Sequence, residues 1–139
     1  MEQLRSIYHF CLSLLGAIRY RFPSKKVFVV GVTGTKGKTT TIEIVNAILE
    51  TAGFRTAISS TLRFKIGDDS RPNLQKMTMP GRFFLQRFLA QAVAKGTDYA
   101  IIEMTSEGAK QHRHRFIQLD ALIFTNLAPE HLEAHGSYE

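Results

Sequence analysis

The stretch VFVVGVTGTKGKTTTIEIVNAIL, Val27 to Leu49, changes character twice. Val27–Val30 is a short apolar run, rich in valine, that suits a strand buried on both faces. From Gly31 to Lys38 the chain turns glycine-, lysine- and threonine-rich. A helix is then expected over Thr39–Ala52, with Ile42, Val45, Ile48 and Leu49 on one face and Gly53 as its C-terminal stop. A bend between a buried strand and a helix start is where a phosphate can bind. The helix supplies unpaired N–H groups and the positive end of its dipole, and glycines let the backbone wrap the anion. A lysine neutralises phosphate charge and the hydroxyl after it can ligate magnesium; here Gly34, Gly37, Lys38 and Thr39 supply these parts. The strict pattern G-x-x-x-x-G-K-[ST] asks for glycine at position 32, where Val32 stands, and Gly31 lies one place too early. The competing interpretation, a glycine-rich structural turn, leaves GKTT after a buried strand unexplained.

Outward from that stretch, apolar runs alternate with helical patterns. Phe54–Thr61 and Leu62–Ile66 read as extended, Gly67–Ser70 as a turn, and Arg71–Met79 as a loop containing Pro72. Gly81–Lys95 reads as a helix with Phe84, Leu85, Phe88, Leu89 and Ala92 inward. Tyr99–Met104 and Ala121–Thr125 are further strands, with a short helix or loop over Gly108–Arg115 between them. The alternation predicts an α/β fold, three layers around a mostly parallel sheet, with right-handed crossovers. Such sheets bind ligands at the carboxyl ends of their strands. Gly31–Thr39, Glu103–Gly108 and Thr125–His131 should all meet at that edge.

The chain ahead of Val27 holds a different pattern. Ile7–Ile18 is apolar, with Arg5 before it and Arg19, Arg21, Lys25 and Lys26 after it. It is shorter than the ~20 residues that span a bilayer, and it lacks a small-residue cleavage site. Leu4, Ile7, Cys11, Leu14 or Leu15, and Ile18 recur at helical spacing, so a helix packed on the domain is expected. A helix resting on anionic lipid, giving a cytoplasmic protein peripheral membrane contact, is the alternative. At 139 residues and 44% hydrophobic the chain has one domain's length and material for a core. One cysteine, Cys11, excludes an intramolecular disulfide framework, and no Cys/His cluster suggests zinc. The net charge of +6 suits an anionic partner without choosing one, and no long basic block or RNA-binding aromatic motif points to nucleic acid.

Three segments together carry a family resemblance. GVTGTKGKTTT (Gly31–Thr41) resembles the nucleotide loop of the Mur ligases, the ATP-dependent amide ligases of peptidoglycan synthesis. AIIEMTSEGAKQHRHR (Ala100–Arg115) and FTNLAPEHLEAHGS (Phe124–Ser137) resemble that family's tripeptide-forming branch. The resemblance runs from about Val27 to the last residue, with Met79 and Glu107 departing from the residues usual in that branch. It implies ATP and magnesium as cofactors. The phosphates would lie on Gly34, Thr35, Lys36, Gly37, Lys38, Thr39 and Thr40, with Asn126 near them. Thr39 and Glu103 would hold one magnesium and His131 a second, so that Lys38, Glu103 and His131 carry the catalytic roles. Thr78, Thr105, Gln111 and Arg113 would meet a muramyl-peptide-like substrate.

The resemblance further implies a domain division: a helix over residues 1–24 in place of a uridine-binding domain, then a central ATP-binding domain over 25–139, cut at its C-terminal end. Residues 1–139 alone are then expected not to turn over. Folylpolyglutamate- and cyanophycin-type ligases share the loop. A P-loop regulatory NTPase would need a guanine-reading N-K-x-D or a strand ending in aspartate, and neither occurs.

Overall fold

The computed structural model describes residues 2–75, 77–81 and 83–127. Its elements, in order, are α1 (Glu2–Arg19), β1 (Phe28–Thr33), α2 (Lys38–Thr51), β2 (Thr56–Ser59), β3 (Arg63–Ile66) and β4 (Asp69–Pro72). There follow α3 (Phe84–Ala94), β5 (Tyr99–Glu103), α4 (Ser106–Lys110) and β6 (Ala121–Phe124). A single 3-10 turn, Pro23–Lys26, links α1 to β1.

The strands form one sheet in the order β4-β3-β2-β5-β1-β6. β1 lies parallel between β5 and β6, and β2 is parallel to β5. β3 and β4 fold back antiparallel at the far edge. Alternation along each central strand sends side chains to two cores, which makes the three layers. Val29, Ala57, Ala100 and Ile102 pack with Leu85, Phe88 and Leu89 of α3 on one face. Val30, Val32, Ile58 and Ile101 pack with Ile42 of α2 on the other. Both faces of β1, β2 and β5 are therefore closed, which is why these strands are apolar runs rather than alternating ones.

Polar groups tie α2 to the antiparallel edge. Arg63 of β3 grips Glu43 of α2 with two bonds, Nε–Oε1 at 2.9 Å and Nη2–Oε2 at 2.6 Å. Lys65 is buried and donates to Glu50, Asn46 and Thr56. The Lys65 hydrogen bond, the largest influence, holds the Glu50 carboxyl below its usual range against the opposing effect of burial. A depressed carboxyl contributes stability above its unfolded pKa, and that contribution is lost as pH falls into the acid range.

Three expectations need correction. Asp69–Pro72 is a strand rather than the end of a turn and the start of a loop. Its residues are all exposed, so no burial pattern marks it, and Pro72 ends it at the open edge, where a proline is tolerated. Ile48, expected on one face of α2 with Ile42, Val45 and Leu49, is instead 62% exposed. Helix α1 forms as expected but turns the other way. It packs through Ser13, Gly16 and Ala17, with the Ser13 hydroxyl donating to the His112 carbonyl at 3.0 Å, while Ile7, Cys11, Leu15 and Ile18 face out. Small residues let the helix approach closely, and closeness decided the packing face over hydrophobicity. Residues 128–139, with His131, lie outside the described residues.

Candidate functional site

The bend after β1 is tighter than the sequence suggested. Gly31–Thr33 still belong to the strand, with Gly31 paired to Ile102 and Leu122 and Val32 buried in the α2 core. Val32 is thus a core residue, and the loop that would close on an anion is only Gly34–Gly37. Gly34 takes φ +132 and Gly37 φ +80, the left-handed region that favours glycine. At Gly34 a side chain would also meet the segment after β6, with a Cβ at 2.9 Å from the Asn126 carbonyl oxygen.

That segment is what fixes the loop. Thr35 N–H donates to the Asn126 carbonyl at 3.0 Å, and Lys36 N–H to Asn126 Oδ1 at 3.0 Å. Asn126 Nδ2 returns a bond to the Lys36 carbonyl at 3.0 Å, and the Thr125 hydroxyl donates to the same carbonyl at 2.8 Å. Lys38 closes the ring from inside, its ammonium donating to the carbonyls of Gly34 at 2.8 Å and Thr35 at 3.1 Å. Gly37 brings no side-chain cap to α2, and no acidic residue of the helix itself sits in the first turn, so its own residues leave the positive helix end uncompensated.

Glu103 ends β5 beside this loop and is 2% exposed. Its two carboxylate oxygens each lie 3.1 Å from the Thr39 hydroxyl, and Oε2 accepts the Thr61 N–H at 2.7 Å. Strand register puts it there: Glu103 pairs with Val32, so its side chain emerges level with the loop. Thr61 follows β2, and its hydroxyl shares a 2.9 Å bond with that of Thr78. Thr40 is exposed in the first turn of α2.

The other expected substrate residues gather one step away. Thr105 caps α4, its hydroxyl accepting the Gly108 N–H at 3.0 Å. Arg113 donates to the Met79 carbonyl and to Gln111 Oε1, the latter at 2.6 Å. Met79, the departure noted above, is buried, and its sulfur occupies the space that a side chain at Gly108 would fill. Arg113 also lines an open cleft of about 600 Å³ with Arg87, Tyr20, Phe83 and Phe84. His114 beside it is held below its usual pKa, first by burial and then by the Arg115 and His112 charges.

Gly34–Thr39, Glu103 and Asn126 therefore converge, Thr78 reaches them through Thr61, and Gln111 and Arg113 hold the neighbouring wall. Sequence reasoning missed Thr61, and placed Thr125 at the ligand-binding edge without giving it a role. Both sit at carboxyl ends of parallel strands, and that rule was the available signal.

One substitution tests the loop. Gly34→Ala should cost roughly 1–3 kcal/mol of stability from forced backbone strain, and weaken nucleotide binding with it. Gly37→Ala meets no atom within 4 Å and should lose only the smaller strain of its own φ. Thermal unfolding of the two variants side by side reads the difference.

Comparison with known proteins gives a family for this geometry. Residues 32–139 match the Mur ligase middle domain. The chain is 36% identical over 130 residues to UDP-N-acetylmuramyl-tripeptide synthetase of Treponema pallidum, covering 92% of this chain and 24% of the relative. It is 40% identical over 128 residues to UDP-N-acetylmuramoyl-L-alanyl-D-glutamate–2,6-diaminopimelate ligase of Syntrophomonas wolfei, covering 92% and 26%. The chain thus spans about a quarter of the length of the curated relatives it matches. Among solved structures, a 2,6-diaminopimelate-adding ligase of the same description shares the fold with TM-score 0.68 at 24% identity, over 76% of this chain and 21% of that one. FolC of E. coli does so with TM-score 0.65 at 22% identity, over 91% and 35%.

Proposed function

Because the chain belongs to the Mur ligase family through its middle domain, we propose that it is the nucleotide-binding core of an ATP-dependent amide ligase of peptidoglycan precursor synthesis, working in the cytoplasm. The observation that carries the reading is the pinned loop Gly34–Gly37, placed at a helix start without a side-chain cap, with Lys38 inside it and the Thr39–Glu103 pair beside it. In the domain division that goes with it, residues 25–139 form the ATP-binding domain and residues 1–24 an added helix.

The reaction class is carboxylate activation. The γ-phosphoryl group passes from ATP to a substrate carboxylate, giving an acyl phosphate and ADP. An amine then attacks the acyl carbon, forming the amide and expelling phosphate. Catalysis of this kind is positioning and charge neutralisation rather than covalent chemistry on the protein. The backbone N–H groups from Gly37 to Thr40 would cradle the phosphates, those of Thr35 and Lys36 being held by Asn126, and Lys38 would exchange its bonds to the Gly34 and Thr35 carbonyls for the outer phosphates. Asn126 and Thr125 act through the loop by holding Lys36 in place.

Magnesium fits the donor set. A carboxylate and a hydroxyl, both hard oxygen donors, already meet at Thr39 and Glu103, with both carboxylate oxygens 3.1 Å from the hydroxyl. When bound there it would screen the phosphate charge. Among the described residues no group of three His, Cys, Asp or Glu stands where it could hold a metal ion. His131, assigned a second magnesium by the resemblance, lies beyond the described residues.

On the substrate side, Arg113 offers a guanidinium to a carboxylate or phosphate of a muramyl-peptide-like substrate, with Gln111, Thr105 and Thr78 as neighbouring polar groups. Calorimetric titration tests the core of the reading. MgATP should bind, MgGTP should bind at least ~10-fold more weakly, and chelating the magnesium should weaken ATP by a similar factor. No ATP binding would sink the assignment, and equal or tighter GTP binding would replace it with a regulatory P-loop NTPase.

A further inference from the structure

We propose that α1 docks this protein on an anionic lipid surface, lying flat in the interface through an apolar stripe that the fold leaves bare. The inference goes beyond the ligase reading and does not depend on it. At roughly 100° per residue, Ile7, Cys11, Leu15 and Ile18 align along one side of the helix, opposite the face that packs. The packed face is small: Ser13, Gly16 and Ala17, held to the body by the Ser13–His112 bond and by Phe10, whose ring meets Phe116 at 5.2 Å. Leu15 and Ile18 are each 55% exposed, and Ile7 is 60% exposed. A helix of ordinary globular type hides such a stripe in its core. This one hides Ser13, Gly16 and Ala17 and presents Ile7, Leu15 and Ile18.

Charge selects the occupant. From residue 3 to residue 30 the sequence holds Arg5, Arg19, Arg21, Lys25 and Lys26 and no aspartate or glutamate. Arg19, Arg21, Lys25 and Lys26 are exposed and follow directly on the stripe's end. The chain turns sharply there, through Arg21 at φ 57 and Phe22 at φ 50, which keeps this basic cluster beside the helix end instead of carrying it away. An apolar stripe ending in a basic cluster matches the two layers of an anionic membrane surface, acyl chains below and phosphate headgroups above. A protein partner would need acidic groups around an apolar groove to match the same pattern. No helix among the described residues is long and apolar enough to cross a membrane, so the mode is peripheral.

The test is sedimentation of the chain with vesicles. It should bind vesicles of phosphatidylglycerol with phosphatidylcholine, release in high salt, and ignore vesicles of phosphatidylcholine alone. The double variant Leu15→Glu with Ile18→Glu should lose binding by about tenfold or more, and thermal unfolding should show its fold intact because both positions are exposed. Several outcomes overturn the proposal: no vesicle binding, equal binding to neutral vesicles, or undiminished binding by the double variant. So does a wild-type dimer that the double variant splits without any lipid binding, which would assign the stripe to a second copy of the chain.

Discussion

Lys38→Ala is expected to weaken ATP binding by about 100-fold and to leave the fold standing. The ammonium makes two bonds, both to carbonyls of the loop it closes, at 2.8 and 3.1 Å. A charge-assisted hydrogen bond is worth about 1.5–3 kcal/mol, and two such bonds to phosphate oxygens, taken at the low end of that range because the two carbonyl bonds are given up in exchange, account for a factor of about 100. The loop itself is retained by other means, since Asn126 and Thr125 tie down Thr35 and Lys36 from outside. Loss of Lys38 should therefore cost the folded state about 1 kcal/mol or less, partly offset because the bonds it gives up are part-buried and open to water. Lys38→Arg should not rescue binding, because a planar guanidinium does not replace a compact ammonium inside a four-residue bend. The measurement pairs ATP titration with thermal unfolding. If the variant binds ATP like the wild type, Lys38 is only a loop strut and the phosphate site lies elsewhere.

How much of this was legible follows from what each residue does. The strand–loop–helix unit from Val27 onward showed itself because burial on both faces, glycine geometry and helical spacing each leave a mark in composition. Its boundaries did not. Gly31 looked like the start of the turn, yet it is a strand residue between Ile102 and Leu122, and only Gly34 leaves the strand direction. Val32, which breaks the strict pattern, fills the core against α2, so the loop is shorter than the pattern assumes. Strand β4 was invisible because an exposed edge strand needs no apolar residue. Helix α1 was legible as a helix but not in its orientation. Spacing locates an apolar stripe; it does not say that Gly16 and Ala17 approach the body more closely than leucine could.

The site divides in the same way. Lys38, Thr39 and Glu103 were visible because a cation, a hydroxyl and a carboxylate at strand ends are chemically conspicuous. Thr61 was not, and Thr125 was placed only by its strand end, with no role attached. Thr61 contributes a backbone N–H, which every residue but proline has, and Thr125 a hydroxyl aimed at a carbonyl some ninety positions away in the chain. Groups that position other groups have no signature in composition, and they become visible only when register sets β2, β5, β1 and β6 side by side.

Glu103 carries the other large expected effect, because two substitutions there separate charge from structure. Glu103→Gln keeps the shape. Its amide oxygen can still accept the Thr61 N–H, and its NH2 can donate to the Thr39 hydroxyl. What it loses is the negative charge, in a position only 2% exposed. ATP binding without metal should be unchanged or slightly tighter, since one anion near the phosphates is gone. The strengthening of ATP binding by magnesium should fall by about tenfold or more. Glu103→Ala should behave differently. It strands the Thr61 N–H and the Thr39 hydroxyl in a closed site, at a cost of about 1–3 kcal/mol, and should lower the melting temperature by several degrees. If glutamine destabilises as much as alanine, the carboxylate is a structural anchor for Thr61. If glutamine leaves the magnesium dependence intact, the metal is held by other groups. Only the split result, a stable fold with the metal effect gone, puts the charge of Glu103 at the phosphates.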